Sequence, residues 1–204
     1  GRGHMCMPTG NHDMIRYSHR RTQDEMKLVA AFIMLMPSIP FVYYGDEIGL
    51  PYREGLASKE GGYFRTGSRT PMQWDGGKNR GFSSADGALY LPVDMSPASP
   101  DVQAQAADEN SLLNTVKQFA RLRAGEEALQ AADNLELVYA AEGEYPFVFR
   151  RGKFVVAVNP RARQAQAALP QGNFRVRESI GKATLESGSV VLGGESLVVL
   201  EENA

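Results

Sequence analysis

The stretch Thr9-Gly10-Asn11-His12-Asp13, succeeded after a helix-like interval by Pro37-Ser38-Ile39-Pro40-Phe41-Val42-Tyr43-Tyr44-Gly45-Asp46-Glu47, decides how the rest of the chain is read. Phe41 to Tyr44 is aromatic and β-branched between turn formers, the composition of a buried strand. The Asn-His-Asp triplet ahead of it sits beside a glycine, at what reads as the mouth of a site. Taken alone, such a triplet is ordinary turn chemistry, because Asn and Asp side chains bond to nearby backbone. Its weight comes from the downstream sequence.

Met7 to Asp13 reads as the end of one strand, Phe41 to Tyr44 as the next, and the interval as the crossover helix. That order suits a (β/α)8 barrel, in which polar residues at the carboxyl ends of strands carry the chemistry. Thr22-Gln23-Asp24-Glu25 has the form of a capping box, with Thr22 as N-cap and Glu25 at the third helical position. Met26, Val29, Ala30, Ile33 and Met34 then form one stripe, read as core packing rather than an adaptable binding face. Pro37 stops the helix.

From about Gly49 to residue 105 the chain lacks periodicity and is rich in Gly, Pro and charge. A loop that long is expected to have a job, and at a barrel mouth it would cover substrate. Arg65 and Arg69 lie in it, and an arginine can fork onto a carboxylate; exposure to solvent is the alternative for both. Gln73 and Trp74 are expected as the packed base of this loop. A helix from Asp108 to Arg123 carries Leu112, Leu113, Val116, Phe119 and Leu122 mostly on one side, with Lys117, Arg121 and Arg123 favouring its carboxyl end. From Leu135 onward short strands replace helices: Leu135 to Ala140, Phe147 to Arg150, Phe154 to Asn159, Ala165 to Leu169, Phe174 to Glu178, Ser189 to Leu192 and Leu197 to Glu201. Arg151-Gly152-Lys153 reads as a hairpin turn.

The composition narrows the function classes. With 204 residues, 43% hydrophobic and 23% charged, the chain is an ordinary globular sequence. A net charge of −2 gives no electrostatic case for nucleic acid or anionic lipid as partner. No apolar run reaches membrane-spanning length, so no membrane partner is expected. The single cysteine, Cys6, excludes an internal disulfide. The three histidines, His4, His12 and His19, form no metal-ligand spacing, and neither metal nor cofactor is expected. Gly1 to Met5 has the look of a vector scar, which hides native targeting and leaves a cytoplasmic or periplasmic location open.

Asn11-His12-Asp13, Pro40-Phe41-Val42-Tyr43-Tyr44-Gly45-Asp46-Glu47 and Arg69-Thr70-Pro71-Met72-Gln73-Trp74-Asp75 together, in this order, resemble the α-amylase family of glycoside hydrolases, most closely its α-glucosidase, oligo-1,6-glucosidase and trehalose synthase branch. The resemblance implies the carboxyl-terminal part of a TIM (β/α)8 barrel over residues 1–130, followed by a small antiparallel β-sandwich domain over 131–204. It implies a retaining α-glycosidase acting on an α-glucan or α-glucoside oligosaccharide derived from starch or sucrose. Two carboxyl groups flanking the scissile bond perform that reaction, and the family adds a third carboxylate and a histidine that hold the innermost sugar. Asp13 matches the third carboxylate, a transition-state stabiliser, and His12 matches the histidine. Asn11 would orient the loop. Arg65 and Arg69 would reach the carboxylates and the sugar. Tyr44 would stack on sugar or belong to the core. Arg80, also a candidate substrate contact, stands where relatives often have a small residue. Glu47 is expected as a loop anchor and Asp46 as a rim residue.

The nucleophile and the general acid/base lie on earlier strands in this family, and nothing here matches either motif. The expectation is therefore a chain inactive by itself, whose partner is the missing amino-terminal part of the barrel, and whose unpaired strand edge favours self-association. The alternative is a carbohydrate-binding or barrel-completing structural module without catalysis.

Overall fold

A computed structural model describes residues 3–59, 65–131 and 133–203. The chain forms two compact units that alternate along the sequence: Cys6–Met26 with Pro40–Gln118, and Gly1–Met5 with Lys27–Ile39 and Phe119–Ala204.

In the first unit, strand β1 (Cys6–Pro8) pairs with β2 (Ile39–Phe41), and the Thr9 N–H donates to the Phe41 carbonyl at 2.9 Å. The strand read over Phe41 to Tyr44 is thus corrected: it ends at Phe41. The Tyr43 N–H is taken by the Thr9 hydroxyl at 3.0 Å, and the Tyr43 carbonyl accepts from Asp46 N–H at 3.0 Å in a turn, so no ladder can continue. Nor is the segment buried, since Phe41, Val42 and Tyr44 are 54%, 40% and 39% exposed.

Helix α1 (Gln23–Leu35) opens as the capping box requires. The Thr22 N–H donates to Glu25 Oε2 at 2.7 Å and the Glu25 N–H to Thr22 Oγ1 at 3.2 Å, so two helix-end donors are satisfied reciprocally. A small core in this unit joins Ile48, Leu50, Met72 and Leu113, with Val102 against it. Val102 opens a short helix, α2 (Val102–Ala107), within the stretch read as loop; Asp101 caps it by accepting from the Ala104 N–H at 2.7 Å. Helix α3 (Leu112–Gly125) starts later than Asp108. Ser111 is its cap, its hydroxyl accepting from the Asn114 N–H at 3.1 Å, while the Asp108 carboxylate accepts from Asn110 N–H in a tight turn that precedes it.

The second unit is built on two antiparallel sheets. Strands β3 (Leu135–Tyr139), β4 (Phe147–Arg151), β5 (Phe154–Asn159), β7 (Phe174–Ile180) and β10 (Ser196–Glu202) form the larger, in the order β3-β4-β5-β10-β7. β6 (Ala165–Ala168), β9 (Ser189–Leu192) and β8 (Ala183–Glu186) form the smaller, in that order. β8 is an addition to the strands read from sequence, its Ala-Thr-Leu-Glu too short and mixed to stand out. Both sheets contribute to one core: Val148, Val155, Ala157, Val198 and Leu200 from the larger, Ala167, Val190 and Leu192 from the smaller. The Gly152-Lys153 hairpin pairs Arg151 with Phe154, and Gly152 takes the left-handed φ of 58° that such a turn demands.

The same unit holds the carboxyl end of α1, which has no basic residue in its last turn. Its orphan carbonyls are satisfied from far along the chain. Arg123 donates to the carbonyls of Met34 at 2.6 Å, Met36 at 2.9 Å and Ser38. Arg151 donates to Leu35 at 2.9 Å, to Leu129 at 3.0 Å and to Gln130. The sequence assigns Arg123 to the end of its own helix. Its guanidinium is buried instead, and with Arg151 it places positive charge at the negative end of the α1 dipole.

Candidate active site

The site grows from the turn after β1. Asn11 Oδ1 accepts from the Asp13 N–H at 2.8 Å, an Asx turn that fixes the direction in which Asp13 leaves the backbone. The Asp13 Oδ1 atom accepts from Arg65 at 2.8 Å and from Arg69 at 2.9 Å. His12 Nε2 lies 3.4 Å from Asp13 Oδ2. Arg69 grips the turn twice, because its Nε donates to the His12 carbonyl at 3.0 Å while its terminal nitrogen holds the carboxylate. Ser68 Oγ, fully buried, lies 3.1 Å from that same carbonyl. The side chains of His12 and Asp13 remain 64% and 45% exposed, so both can meet a ligand from solvent.

Tyr43 and Tyr44 hold the other wall. Their hydroxyls donate to the carbonyls of Ser68 at 3.2 Å and Thr70 at 2.8 Å. One face of Tyr44 is occupied by the Arg16 guanidinium, 5.0 Å from the ring centroid. Asn11, His12, Asp13, Arg65 and Arg69 are therefore brought together, with Tyr44 bound to the same segment. Arg80 is not among them. It is buried, with its Nε on the Asp94 carbonyl at 2.9 Å and a terminal nitrogen on Ser96 at 2.6 Å. This corrects its reading as a substrate contact: its donors are used to pin the loop backbone. Gln73 is buried as expected, but Trp74 is 50% exposed, which corrects its reading as packed.

Asp46 needs the opposite correction. Its place at a strand end suggests a rim residue, yet it is fully buried in an ion pair with Arg16 at 2.9 Å. Burial pushes its carboxyl up, against the hydrogen bond from Thr9 and the charge of Arg16, which pull it down. The sequence reading passes over Arg16, whose only signal is a lone arginine just beyond the triplet. Among the described residues, no group of three or more His, Cys, Asp or Glu could hold a metal ion, and no helix is long and apolar enough to cross a membrane.

Burial raises the Asp13 carboxyl, but the Arg69 hydrogen bond and the charges of Arg65, His12 and Arg69 outweigh it and hold it below its ordinary value of 3.8. A lowered folded value means that the stabilisation is present above pH 3.8 and is lost as pH falls through the folded value. A carbon-detected NMR titration is expected to place Asp13 below the ordinary carboxylate range, and Arg69→Leu to move it up. Ordinary titration in both proteins would mean that the arginine fork does not form in solution.

Fold and geometry define a carboxylate in the turn after a strand, held by paired arginines in a β/α segment that is joined in the chain to antiparallel sheets. Residues 3–132 match the alpha-amylase family, described as alpha amylase, catalytic domain. The chain belongs to that family. It is 30% identical over 222 residues to the salivary alpha-glucosidase of Aedes aegypti, covering 94% of this chain and 38% of that protein. It is 35% identical over 106 residues to the trehalose synthase/amylase TreS of Mycobacterium tuberculosis, covering 50% of this chain and 17% of that protein. Among solved structures it resembles the alpha-glucosyl transfer enzyme XgtA, with a TM-score of 0.80 at 25% identity over 98% of this chain and 41% of that one. At 20% identity, the alpha-amylase from H.orenii shares the fold with a TM-score of 0.74, over 97% of this chain and 40% of that one. The chain thus spans about two fifths or less of the relatives it matches.

Proposed function

We propose that this chain supplies the sugar-holding side of a retaining α-glucosidase-type active site. In this reading residues 1–130 form the carboxyl-terminal part of a (β/α)8 barrel and 131–204 a β-sandwich domain. The nucleophile and the acid/base are carried by polypeptide outside these residues. The observation that supports it best is the Asp13 carboxylate, half exposed in the turn after β1 and gripped by Arg65 and Arg69 beside His12. The names of the relatives, an alpha-glucosidase and a trehalose synthase/amylase, point to α-glucosides as substrates.

The chemistry derives from the charge. Glycosyl transfer passes through an oxocarbenium-like state in which contacts to the sugar hydroxyls strengthen. A fixed anion accepts hydrogen bonds from neighbouring hydroxyls on the innermost sugar, and His12 donates to a hydroxyl of the same sugar. The two arginines hold the Asp13 carboxylate in place and below its ordinary value, so little reorganisation is left for the moment of reaction. The chain by itself is expected to release no glucose from maltose or an aryl α-glucoside. Turnover that survives repurification and disappears in Asp13→Asn would reject the proposed division of labour.

A further inference from the structure

We propose that Asp46 is a positioning residue: one buried carboxylate holds both ends of the turn that carries Asn11, His12 and Asp13, and so sets where Asp13 stands between Arg65 and Arg69. The role rests on the proposed sugar-holding function of Asp13; the geometry stands by itself. Ahead of the triplet, the Thr9 hydroxyl donates to Asp46 Oδ2 at 2.6 Å. Behind the triplet, Arg16 donates to Asp46 Oδ1 at 2.9 Å and to the Tyr44 carbonyl at 2.7 Å. Each carboxylate oxygen thus ties down one flank of the same short turn. The Thr9 oxygen also accepts from the Tyr43 N–H, and Tyr17 donates its hydroxyl to the Asp46 carbonyl at 2.9 Å, so the clamp is fixed to the segment that bears it.

The surroundings are shaped for this pair. The Arg16 guanidinium lies against two rings, 4.9 Å from the Tyr43 centroid and 5.0 Å from that of Tyr44. A side chain at Gly10 would put its Cβ 3.3 Å from Asp46 Oδ2. At Gly45, with φ of +83°, a Cβ would meet Leu50 at 2.8 Å and Arg16 at 3.2 Å. Arg16 Nε and one of its terminal nitrogens, both buried, find no hydrogen-bond partner among the described residues. A buried ion pair with donors left over is a poor source of net stability. Its arrangement is better accounted for by what it places than by what it stabilises.

The test uses the full chain and two variants, Asp46→Ala, which releases both flanks, and Thr9→Val, which releases one with little change of shape. The expected result is that Asp13 titrates higher than in the parent chain in both, and highest in Asp46→Ala, with shifted His12 and Asp13 amide resonances. A purely structural role lowers the melting temperature but leaves the Asp13 titration in place. Unchanged titration in folded Asp46→Ala overturns the proposal; should that variant fail to fold, unchanged titration in Thr9→Val does so. The two readings fail separately. Wild-type turnover by Asp13→Asn in a catalytically complete enzyme removes the sugar role and leaves the clamp, whereas unchanged titration removes the clamp and leaves the sugar role.

Discussion

Arg151→Met is expected to lower stability by about 3–5 kcal/mol, because it removes the donor shared by several neutral oxygen acceptors, each worth about 1–3 kcal/mol when left buried and unpaired. In a chain of this size that is a fall in melting temperature of about 10 °C. Methionine matches much of the arginine's bulk, so the effect is not a cavity. What is lost is four acceptors' worth of donors: the carbonyls of Leu35, Leu129 and Gln130, and Asn134 Oδ1. The Leu35 and Leu129 carbonyls, whose bonds are buried, cost about 1–3 kcal/mol each when left without a donor; the part-buried Gln130 and Asn134 oxygens cost less, and relief from burying the charge returns part of the sum. Arg151→Lys is expected to recover little, because an ammonium on a flexible stem cannot reach these separated acceptors as the planar fork does. Burial and the nearby Arg123 charge push the Arg151 guanidinium down to about 10, so it stays charged at neutral pH. Thermal melts followed by circular dichroism check this against Arg177→Met, an exposed control expected to change stability by no more than ~0.5 kcal/mol. Equal melting of Arg151→Met and the control would show that water serves those carbonyls as well as the arginine does.

How much of the fold is legible in the sequence depends on the reach of each interaction. The Thr22 and Glu25 capping box and the Gly152 hairpin are written within a few neighbouring residues, and both form as the sequence predicts. The β-rich run from Leu135 is visible by its alternation and its turn residues, with only β8 missed. The carboxyl end of α1 is not legible. Pro37 marks where it stops, but its carbonyls are served by Arg123 and Arg151, which local pattern cannot link to it. The same holds for Asp46. A carboxylate at a strand end reads as rim until Arg16 is seen to neutralise it in the interior. Arg80 and Trp74 exchange their expected places because residue type gives only an average preference for burial. The carbonyls of Asp94 and Ser96 supply what a buried arginine needs. In the candidate site, the triplet and the two loop arginines are named by motif resemblance; Asp46 stands in a quoted motif too, but its link to Thr9 and Arg16 emerges only from geometry.

Under the proposed division of labour, the largest catalytic effect is expected for Asp13→Asn in an enzyme that joins this chain to the proposed remainder of the barrel: a fall in kcat on the order of 10³-fold, with a smaller change in KM. The amide preserves shape and can still accept one hydrogen bond from a sugar hydroxyl, so ground-state binding is only partly lost. It removes the negative charge, and with it the stabilisation that grows as the sugar ring acquires positive charge. It also leaves Arg65 and Arg69, both placed within 3 Å of Asp13 Oδ1, facing each other across a neutral group. Their cationic field then opposes the developing cation instead of being cancelled, which makes the variant worse than simple removal of one contact. His12→Ala deletes one donor and leaves the charge balance of the fork alone, so its loss in kcat is expected to be smaller, on the order of 10²-fold. The contrast is the informative part. If Asp13 acts through its charge on the transition state, Asp13→Asn lowers kcat far more than KM, and Arg69→Leu combined with Asp13→Asn restores part of the activity by removing an uncompensated cation. If Asp13 only binds substrate, KM rises with kcat unchanged and the double variant is no better than the single one. Steady-state kinetics on the single and double variants distinguishes the two, and near-wild-type kcat for Asp13→Asn would remove Asp13 from the transition state altogether.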